Sequence, residues 1–250
     1  MHRKSLALAL LTFSGLAACA TTRTHAVENA PAPARPGYTL VLIKTGPRSG
    51  QLSKEENARA FAGHFANMER LANARQLLVA GPYGERRHDP DLRGLFVLAS
   101  ARRDEARYRP ADEARAWAET DPTTQAGVFV LEYHELETPA PLAAALERDL
   151  AWRAQQVSGG KTPEPGEGAR PYVLLTAEHG DLAERELGAL QTNAGGVLLL
   201  ARLDGTRAFA LLDATDSAGA RERFGPQLEH LGAHELDEWF ASEQLAHLVE

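Results

Sequence analysis

The sequence predicts an α+β protein in which two βαββαβ units follow one another along the chain. Three observations predict this class: short apolar runs typical of strands, amphipathic segments typical of helices between them, and recurrence of the same order in the second half. The length of 250 residues allows one large or two small domains. With 44% hydrophobic and 24% charged residues, the composition excludes collagen-like, coiled-coil and wholly disordered chains.

Residues 1–18 have the features of a secretory signal peptide. Arg3 and Lys4 form a basic start, residues 6–11 are apolar, and small residues follow up to Ala18. Because the apolar run is shorter than the roughly 20 residues that span a bilayer, we expect a cleaved signal rather than a transmembrane helix.

Residues 16–19 (Leu-Ala-Ala-Cys) resemble the bacterial lipobox, in which the cysteine is lipidated and becomes the first residue of the mature protein. The resemblance implies an envelope lipoprotein anchored by acyl chains at Cys19. Ala20, rather than Asp, implies the outer membrane, with the protein facing the periplasm. The alternative is an ordinary cleaved signal in which Cys19 is incidental. Residues 19–36 contain three prolines and no apolar period, which predicts an extended tether.

The first βαββαβ unit is predicted at residues 37–136. Ser53 followed three residues later by Glu56 is a capping box, which predicts that a helix begins there. That helix has one apolar face, formed by Phe61, Phe65, Met68 and Leu71. The strands are expected at residues 38–43, 76–80, 95–98 and 127–133, and a second helix at residues 110–117.

Two Pro dipeptides mark boundaries within this unit. Gly81-Pro82 is expected to end the second strand, and Asp121-Pro122 is expected to end the second helix.

The second unit, at residues 171–250, repeats the pattern more faintly. Asp181 with Glu184 is predicted to cap its first helix, and Asp204-Gly205 predicts a tight hairpin. The last strand is less clearly indicated than the others, because the segments on either side of it have apolar residues at helical spacing. The strands are expected at residues 172–175, 196–201, 207–212 and 235–240, the helices at residues 181–190 and 216–224, and the helical spacing occurs at residues 227–231 and 242–249.

Residues 137–170 are predicted to join the two units as an exposed hinge or spacer without chemistry. They comprise a helix over residues 141–157 and a flexible Gly- and Pro-rich connector. The order of elements on either side is that of the ferredoxin-like split unit, and its recurrence suggests duplication.

Residues 38–135 resemble the YCII-related (YciI-like) family of small α/β proteins. The resemblance is carried by His64, by residues 77–82 (Leu-Leu-Val-Ala-Gly-Pro), and by residues 116–129, in which a helix ends in Asp-Pro and leads into Ala-Gly-Val-Phe. It implies a ferredoxin-like fold of the dimeric α/β barrel type. Members of the family pair two sheets across a dimer, so the second unit is expected to supply the second sheet as an intrachain pseudo-dimer.

The resemblance also implies a cleft with a catalytic pair at His64 and Asp121, and a ligand-binding segment at Gly81, Pro82 and Tyr83. A carboxylate that accepts from one imidazole nitrogen sets the tautomer and raises the basicity of the other nitrogen. We therefore expect a ring nitrogen of His64 within about 3.2 Å of an Asp121 oxygen, or one water away. The alternatives are a core histidine and a turn-capping aspartate.

The second unit departs from the family pattern, so a single site in the first unit is expected. It has no Gly-Pro after its second strand, Asp216-Ser217 replaces the Asp-Pro turn, and His179 lies before its helix rather than on it.

Two functions are compatible with these features. The first is an envelope lipoprotein that binds a small ligand or a partner in the cleft near His64 and Asp121. The alternative is a cofactor-independent, lyase- or isomerase-like enzyme that uses this acid–base pair on a small organic acid. Whether the protein is an enzyme stays open at this point.

Charge and residue types limit the partners. A net charge of −7 argues against nucleic acid, and a single cysteine excludes an intrachain disulfide and a Cys-based zinc site. The cluster of His88, Asp89 and Asp91 matches no metal-ligand spacing, so neither a metal nor a cofactor is expected. The protein is expected to be a monomer with an internal pseudo-dimer, or a homodimer.

Overall fold

A computed structural model describes residues 37–99, 112–192 and 194–249 of the chain. It is a mixed α+β structure built on one antiparallel sheet of eight strands that nearly closes into a barrel. The predicted signal peptide, Cys19, the tether and Pro110 lie outside the described residues.

The strands and helices alternate in the same order in both halves of the chain. The strands are β1 Gly37–Thr45, β2 Leu77–Pro82, β3 Leu92–Leu98, β4 Phe129–Glu137, β5 Ala169–Ala177, β6 Val197–Leu203, β7 Arg207–Leu212 and β8 His234–Ser242. The helices are α1 Lys54–Asn73, α2 Asp112–Ala118, α3 Pro122–Gln125, α4 Leu142–Ser158, α5 Gly180–Leu187 and α6 Ser217–His230, with 3₁₀ turns at Gly188–Leu190 and Glu243–His247.

The helix start predicted at Ser53 is confirmed. The Ser53 hydroxyl accepts from the Glu56 backbone N–H at 3.2 Å, and the Glu56 carboxylate accepts from the Ser53 N–H at 2.9 Å. Two of the four unpaired N–H groups at this helix end are thereby satisfied.

The boundaries predicted at both Pro dipeptides are confirmed. β2 ends at Pro82, where a missing N–H is tolerated because the strand is an outermost one, and α2 ends at Ala118, before Asp121. Asp121 begins the short helix α3, and Pro122 occupies its first turn.

The cap predicted at Asp181 and Glu184 is wrong. His179 lies at the N-cap of α5 without a side-chain bond to the helix. Asp181 and Glu184 instead bind the guanidinium of Arg202 on β6, with Glu184 Oε2 at 2.8 Å. An arginine with two carboxylates within reach competes for them more strongly than a helix end does.

The tight hairpin between β6 and β7 is confirmed. Asp204 and Gly205 both have positive φ, at 51° and 75°, within the three-residue connection between Leu203 and Arg207, where the Thr206 N–H donates to the Leu203 carbonyl at 3.3 Å. The last strand is also confirmed as β8, and the helical spacing after it corresponds to the 3₁₀ turn at Glu243–His247. The α6 helix extends to His230, beyond the predicted end at residue 224.

The sheet has the strand order β2-β3-β1-β4-β6-β7-β5-β8. The two halves meet where β4 pairs with β6, at Leu136 with Leu203 and at Glu137 with Arg202. At the opposite edge, the chain just after β2 meets β8. There the Gly84 N–H donates to the Glu238 carbonyl at 2.7 Å, and the Glu238 N–H donates to the Arg86 carbonyl at 2.9 Å.

Gly81 allows this closure. A Cβ atom at position 81 would lie 1.9 Å from the backbone oxygen of Phe240, far inside contact distance. Trp239 donates from Nε1 to the Gly81 carbonyl oxygen at 2.9 Å and holds the two outermost strands together.

The inner face of the sheet is filled by side chains from all parts of the described chain. Leu95, Leu174 and Trp239 belong to this cluster and leave an apolar void of only about 20 Å³, which holds about one water molecule. The interior is therefore a packed core and not a ligand cavity. No helix in the described ranges combines the length and the apolar character that crossing a bilayer requires.

The expectation of an exposed spacer is wrong for α4. Leu142, Ala145 and Leu146 are buried in the inner-face cluster, so this helix contributes to the core that the two halves share. Val157, near the C-terminal end of the same helix, is 58% exposed.

The substitution Gly81→Ala tests the closure. Because the new methyl group would collide with the backbone, we expect a loss of about 3 kcal/mol in the free energy of unfolding, measured by urea denaturation. Gly188→Ala is the control: this exposed glycine has right-handed helical backbone angles (φ −59°, ψ −39°) and open space at its Cβ position, so alanine should stabilise by about 0.4–1 kcal/mol. An unchanged urea midpoint for Gly81→Ala would contradict the tight approach of the strands.

Candidate active site

A cleft of about 440 Å³ lies between α1 and the outer face of the first-half sheet. Its volume is within the range of small-molecule sites. Five of its lining residues come from α1: Asn57, Phe61, His64, Phe65 and Met68. The sheet and the adjoining segments contribute Ile43, Ser49, Gly81, Pro82, Arg93, Gly94, Phe96, Val128 and Phe129.

The predicted contact between His64 and Asp121 is confirmed. His64 Nδ1 and Asp121 Oδ2 are 2.7 Å apart, although 57 positions separate the two residues in the chain. The residues are 8% and 2% exposed, respectively. Since an ionised carboxylate only accepts hydrogen bonds, Nδ1 carries the proton in this pair. Nε2 has no partner among the described residues, and the ring lines the cleft.

Asp121 is held in place by its position at the start of α3. Its Oδ1 atom accepts from the Thr123 backbone N–H at 2.9 Å and also from the Thr123 hydroxyl. Burial by itself would raise the pKa of Asp121, but the hydrogen bond and charge of His64 and the two bonds from Thr123 outweigh it, so the pKa lies below the ordinary value. The carboxylate is therefore ionised at neutral pH and oriented toward His64.

A close approach of α1 to α3 brings the two residues together. Gly63 precedes His64 and Pro122 follows Asp121. A Cβ atom on Gly63 would lie 2.8 Å from Pro122 Cγ, so the two elements can approach this closely because position 63 has no side chain. One turn further along α1, the Asn67 side-chain oxygen accepts from the Thr120 hydroxyl at 3.2 Å. These contacts set the distance between helix and turn, and so the geometry of the pair.

Four phenylalanine rings surround the imidazole. Their centroids lie 5.4–6.2 Å from that of His64, and Phe96 stacks on it at an interplanar angle of 20°. The other rings, from Phe61, Phe65 and Phe129, meet it edge-on. An apolar surround strengthens the electrostatic interaction of the pair and restricts rotation of the ring.

The structure brings two of the three residues of the predicted ligand-binding segment into the cleft. Gly81 and Pro82 lie in its wall, and their ligand contacts stay predictions. Tyr83 does not line the cleft: it pairs with Trp239 at the sheet closure and packs against the inner-face cluster. Burial, followed by the charge of Asp237, raises the pKa of Tyr83, which fits a structural role.

Arg93 is a cleft residue that the sequence did not predict. The register between β1 and β3 shifts there, because Ile43 pairs with Gly94 while Lys44 pairs with Leu92. Arg93 is the extra residue of this β-bulge, and a bulge turns a side chain away from the alternation of its strand. A glycine within an apolar strand, Gly94, is the sequence signal that could have indicated a bulge here.

Metal ligands do not converge in the part of the chain that the structure describes, where no group of three or more such side chains could hold an ion. His88 instead donates from its backbone N–H to Asp237 Oδ1 at 2.6 Å, and its ring lies 2.8 Å from Asp237 Oδ2. This pair links the loop after β2 to β8.

The corresponding surface of the second half is packed with apolar side chains. The helix that follows β5, α5, has 8 residues against the 20 of α1, and it buries Ala183 and Leu187 against the sheet. Phe224 and Leu228 from α6 complete this cluster.

Comparison of the chain with protein-family models, with curated proteins and with solved structures gave no significant match. The functional argument therefore rests on the geometry of the cleft and on the sequence patterns.

The pH dependence of stability tests the buried pair. Because the folded-state pKa of Asp121 lies below 3.8, its ionised form stabilises the protein above that pH, and the contribution is lost as the pH falls through the folded-state pKa. We expect Asp121→Asn to lower the free energy of unfolding by about 2 kcal/mol at pH 7 and by less at pH 3, measured by urea denaturation.

Asp91→Asn is the matched control, because Asp91 is exposed on the loop before β3. It should change the free energy of unfolding by less than about 0.5 kcal/mol at either pH. An effect of Asp121→Asn that is as large at pH 3 as at pH 7 would show that the carboxylate charge contributes nothing.

Proposed function

We propose that the protein binds a small organic molecule in the cleft, where the ligand contacts His64. The observation that carries this proposal is a buried His64–Asp121 pair whose free ring nitrogen lines a cleft of ligand size. A histidine that only filled a core would not be placed on a cavity wall with one nitrogen unpaired. A site of this kind combines an apolar lining with a few oriented polar groups.

We further propose that the chain consists of two ferredoxin-like units paired as an internal pseudo-dimer, with the first unit related to the YCII family. The strand order supports this assignment, because β2-β3-β1-β4 in the first half corresponds to β6-β7-β5-β8 in the second. The junctions support it as well, since the fourth strand of each half meets the second strand, or its immediate continuation, of the other. The packed second-half surface leaves one site per chain.

The second candidate function is cofactor-independent acid–base catalysis on a small organic acid. The 2.7 Å contact of His64 Nδ1 with Asp121 favours it, because it leaves Nε2 free as a proton acceptor. Nε2 would take a proton from a carbon of the ligand, and Asp121 would stabilise the resulting imidazolium. Return of that proton to a neighbouring carbon completes an isomerisation. Loss of a leaving group with its electron pair, as a carbon–carbon double bond forms, completes an elimination.

For the cellular location we propose an envelope lipoprotein anchored at Cys19 in the outer membrane and facing the periplasm. The pattern of residues 16–19 and the proline-containing stretch after it support this location. The stretch of residues 19–36 would then separate the cleft from the bilayer.

Ligand binding is tested by a fragment screen on the purified protein, lacking residues 1–19, with the imidazole ¹H–¹⁵N signals of His64 as the readout. We expect a set of fragments to shift these signals, and His64→Gln to weaken binding of the same fragments about tenfold. His230→Gln, at a residue whose side chain is 67% exposed, is the control and should leave their affinity unchanged. A screen in which no fragment shifts the His64 signals would contradict the proposal.

The same samples separate a binder from a catalyst. Bound carbon acids incubated in D₂O should exchange C–H for C–D if His64 is a general base. Asp121→Asn should then slow exchange by about 10²-fold or more, since it removes the carboxylate that holds the reactive tautomer. Binding without exchange in the wild type would favour the first candidate over the second.

Lipid anchoring is tested by expression of the full chain in a bacterium with an outer membrane. Cys19→Ser should abolish incorporation of labelled palmitate and release the protein from the membrane fraction. Ala20→Asp should retain the label but shift the protein to the inner membrane on a sucrose gradient. Palmitate labelling of Cys19→Ser equal to that of the wild type would contradict anchoring at this residue.

A further inference from the structure

Arg93 is fixed at one end of the cleft by a single hydrogen bond. Its Nε atom donates to the Thr45 hydroxyl at 2.8 Å, and that hydroxyl in turn donates to the Asp91 carbonyl at 3.3 Å. The bond orients the guanidinium and engages only one of its five N–H groups.

The outer edge of the guanidinium is unpaired in the described structure. Several other arginines of the described chain bind a carboxylate, for example Arg75, Arg153 and Arg202. No carboxylate among the described residues pairs with Arg93, although the side chain lies in a cleft wall. The two terminal nitrogens are thus free to bind an anion in the two-bond geometry that guanidinium groups form with carboxylates.

Two further polar residues of the cleft lining lie on the segment that follows β1 in the chain. Ser49 lies in the loop that follows β1, which ends at Thr45, and Asn57 lies in the first turn of the helix after that loop. His64 is seven residues further along α1, which corresponds to about 10 Å along the helix axis. The cleft therefore has a cationic, polar end and a separate His64 region.

Around His64 the walls of the cleft are apolar and mainly aromatic. Phe61, Phe96 and Phe129 present ring faces and edges around the imidazole, and Ile43 and Met68 complete the lining. Gly94, next to Arg93, contributes no side chain to the lining, because a Cβ atom there would lie 2.9 Å from the Gly81 carbonyl oxygen. An aromatic ring gains edge-to-face contacts in such a surround that an aliphatic group of equal size does not.

We infer that the ligand of the cleft is an aromatic carboxylic acid and that Arg93 is the specificity residue that binds its carboxylate. The acid group would lie between Arg93, Ser49 and Asn57, with the ring among the phenylalanines and its far side toward His64. This inference rests on the proposed function of the cleft and adds the class of ligand to it.

Three matched probes test the inference: phenylacetate, its neutral amide phenylacetamide, and cyclohexylacetate, which keeps the charge but lacks the aromatic ring. We expect the wild type to bind phenylacetate about tenfold more tightly than the amide and several-fold more tightly than cyclohexylacetate, measured by calorimetry. Arg93→Gln should remove the preference for the acid by weakening phenylacetate about tenfold, while the affinity for the amide changes less than twofold. Arg93→Lys keeps the positive charge but lacks the planar guanidinium that can form two parallel hydrogen bonds. Its affinity for phenylacetate should therefore lie between those of the wild type and Arg93→Gln.

Arg59→Gln is the control, since Arg59 is exposed on α1 and does not line the cleft. It should leave all three affinities within twofold of the wild type and so exclude a general charge effect. Unchanged His64 signals and an unchanged urea midpoint for Arg93→Gln would show that the cleft is intact.

Several outcomes would overturn the inference. Equal binding of acid and amide by the wild type, or an equal loss of both in Arg93→Gln, would remove Arg93 as the selecting residue. Equal binding of cyclohexylacetate and phenylacetate would remove the aromatic preference. If none of the probes binds while other fragments shift the His64 signals, the ligand class is wrong but the proposed function stands. Absence of any such fragment defeats the proposed function itself.

Discussion

The backbone oxygen of Phe240 occupies the position where a side chain at residue 81 would begin, so β2 and β8 can meet only with glycine there. The contact joins the two outermost strands of the sheet and encloses the inner-face core, which the two halves and α4 share. Gly81 also lies in the cleft wall. One close backbone approach therefore serves both the shared core and the site, and a change that opened the sheet there would also alter the cleft.

Within the cleft, an ionised carboxylate is buried next to a shell of phenylalanine rings. Such a group is destabilising unless its oxygens are bound, and here His64 binds one oxygen of Asp121 while Thr123 binds the other. The exclusion of water makes the charge of Asp121 costly to bury, and it also strengthens each of these hydrogen bonds. The arrangement leaves Nε2 of His64 without a partner among the described residues, on the wall of the cleft.

The two halves have the same order of elements but differ in the helix after the first strand. The long α1 carries His64 and the aromatic side chains at helical spacing, and it stands far enough from the sheet to leave a cleft. The shorter α5 packs Ala183 and Leu187 directly on its sheet. The second half thereby supplies strands and core, and its corresponding surface is filled by apolar side chains.

The sequence by itself determined the features that depend on near neighbours in the chain: the order of strands and helices, the capping box at Ser53, the Asp204-Gly205 hairpin, and the inward face of α1 that carries His64. It also indicated the contact between His64 and Asp121, through a family resemblance rather than through spacing. Only the tertiary structure decided the closure at Gly81, the exclusion of Tyr83 from the cleft, the burial of α4 and the bulge that turns Arg93 into the site. Each of these features depends on how strands pair and helices pack when they are distant in the chain. Periodicity and capping report only the preferences of residues a few positions apart, so they cannot predict such contacts.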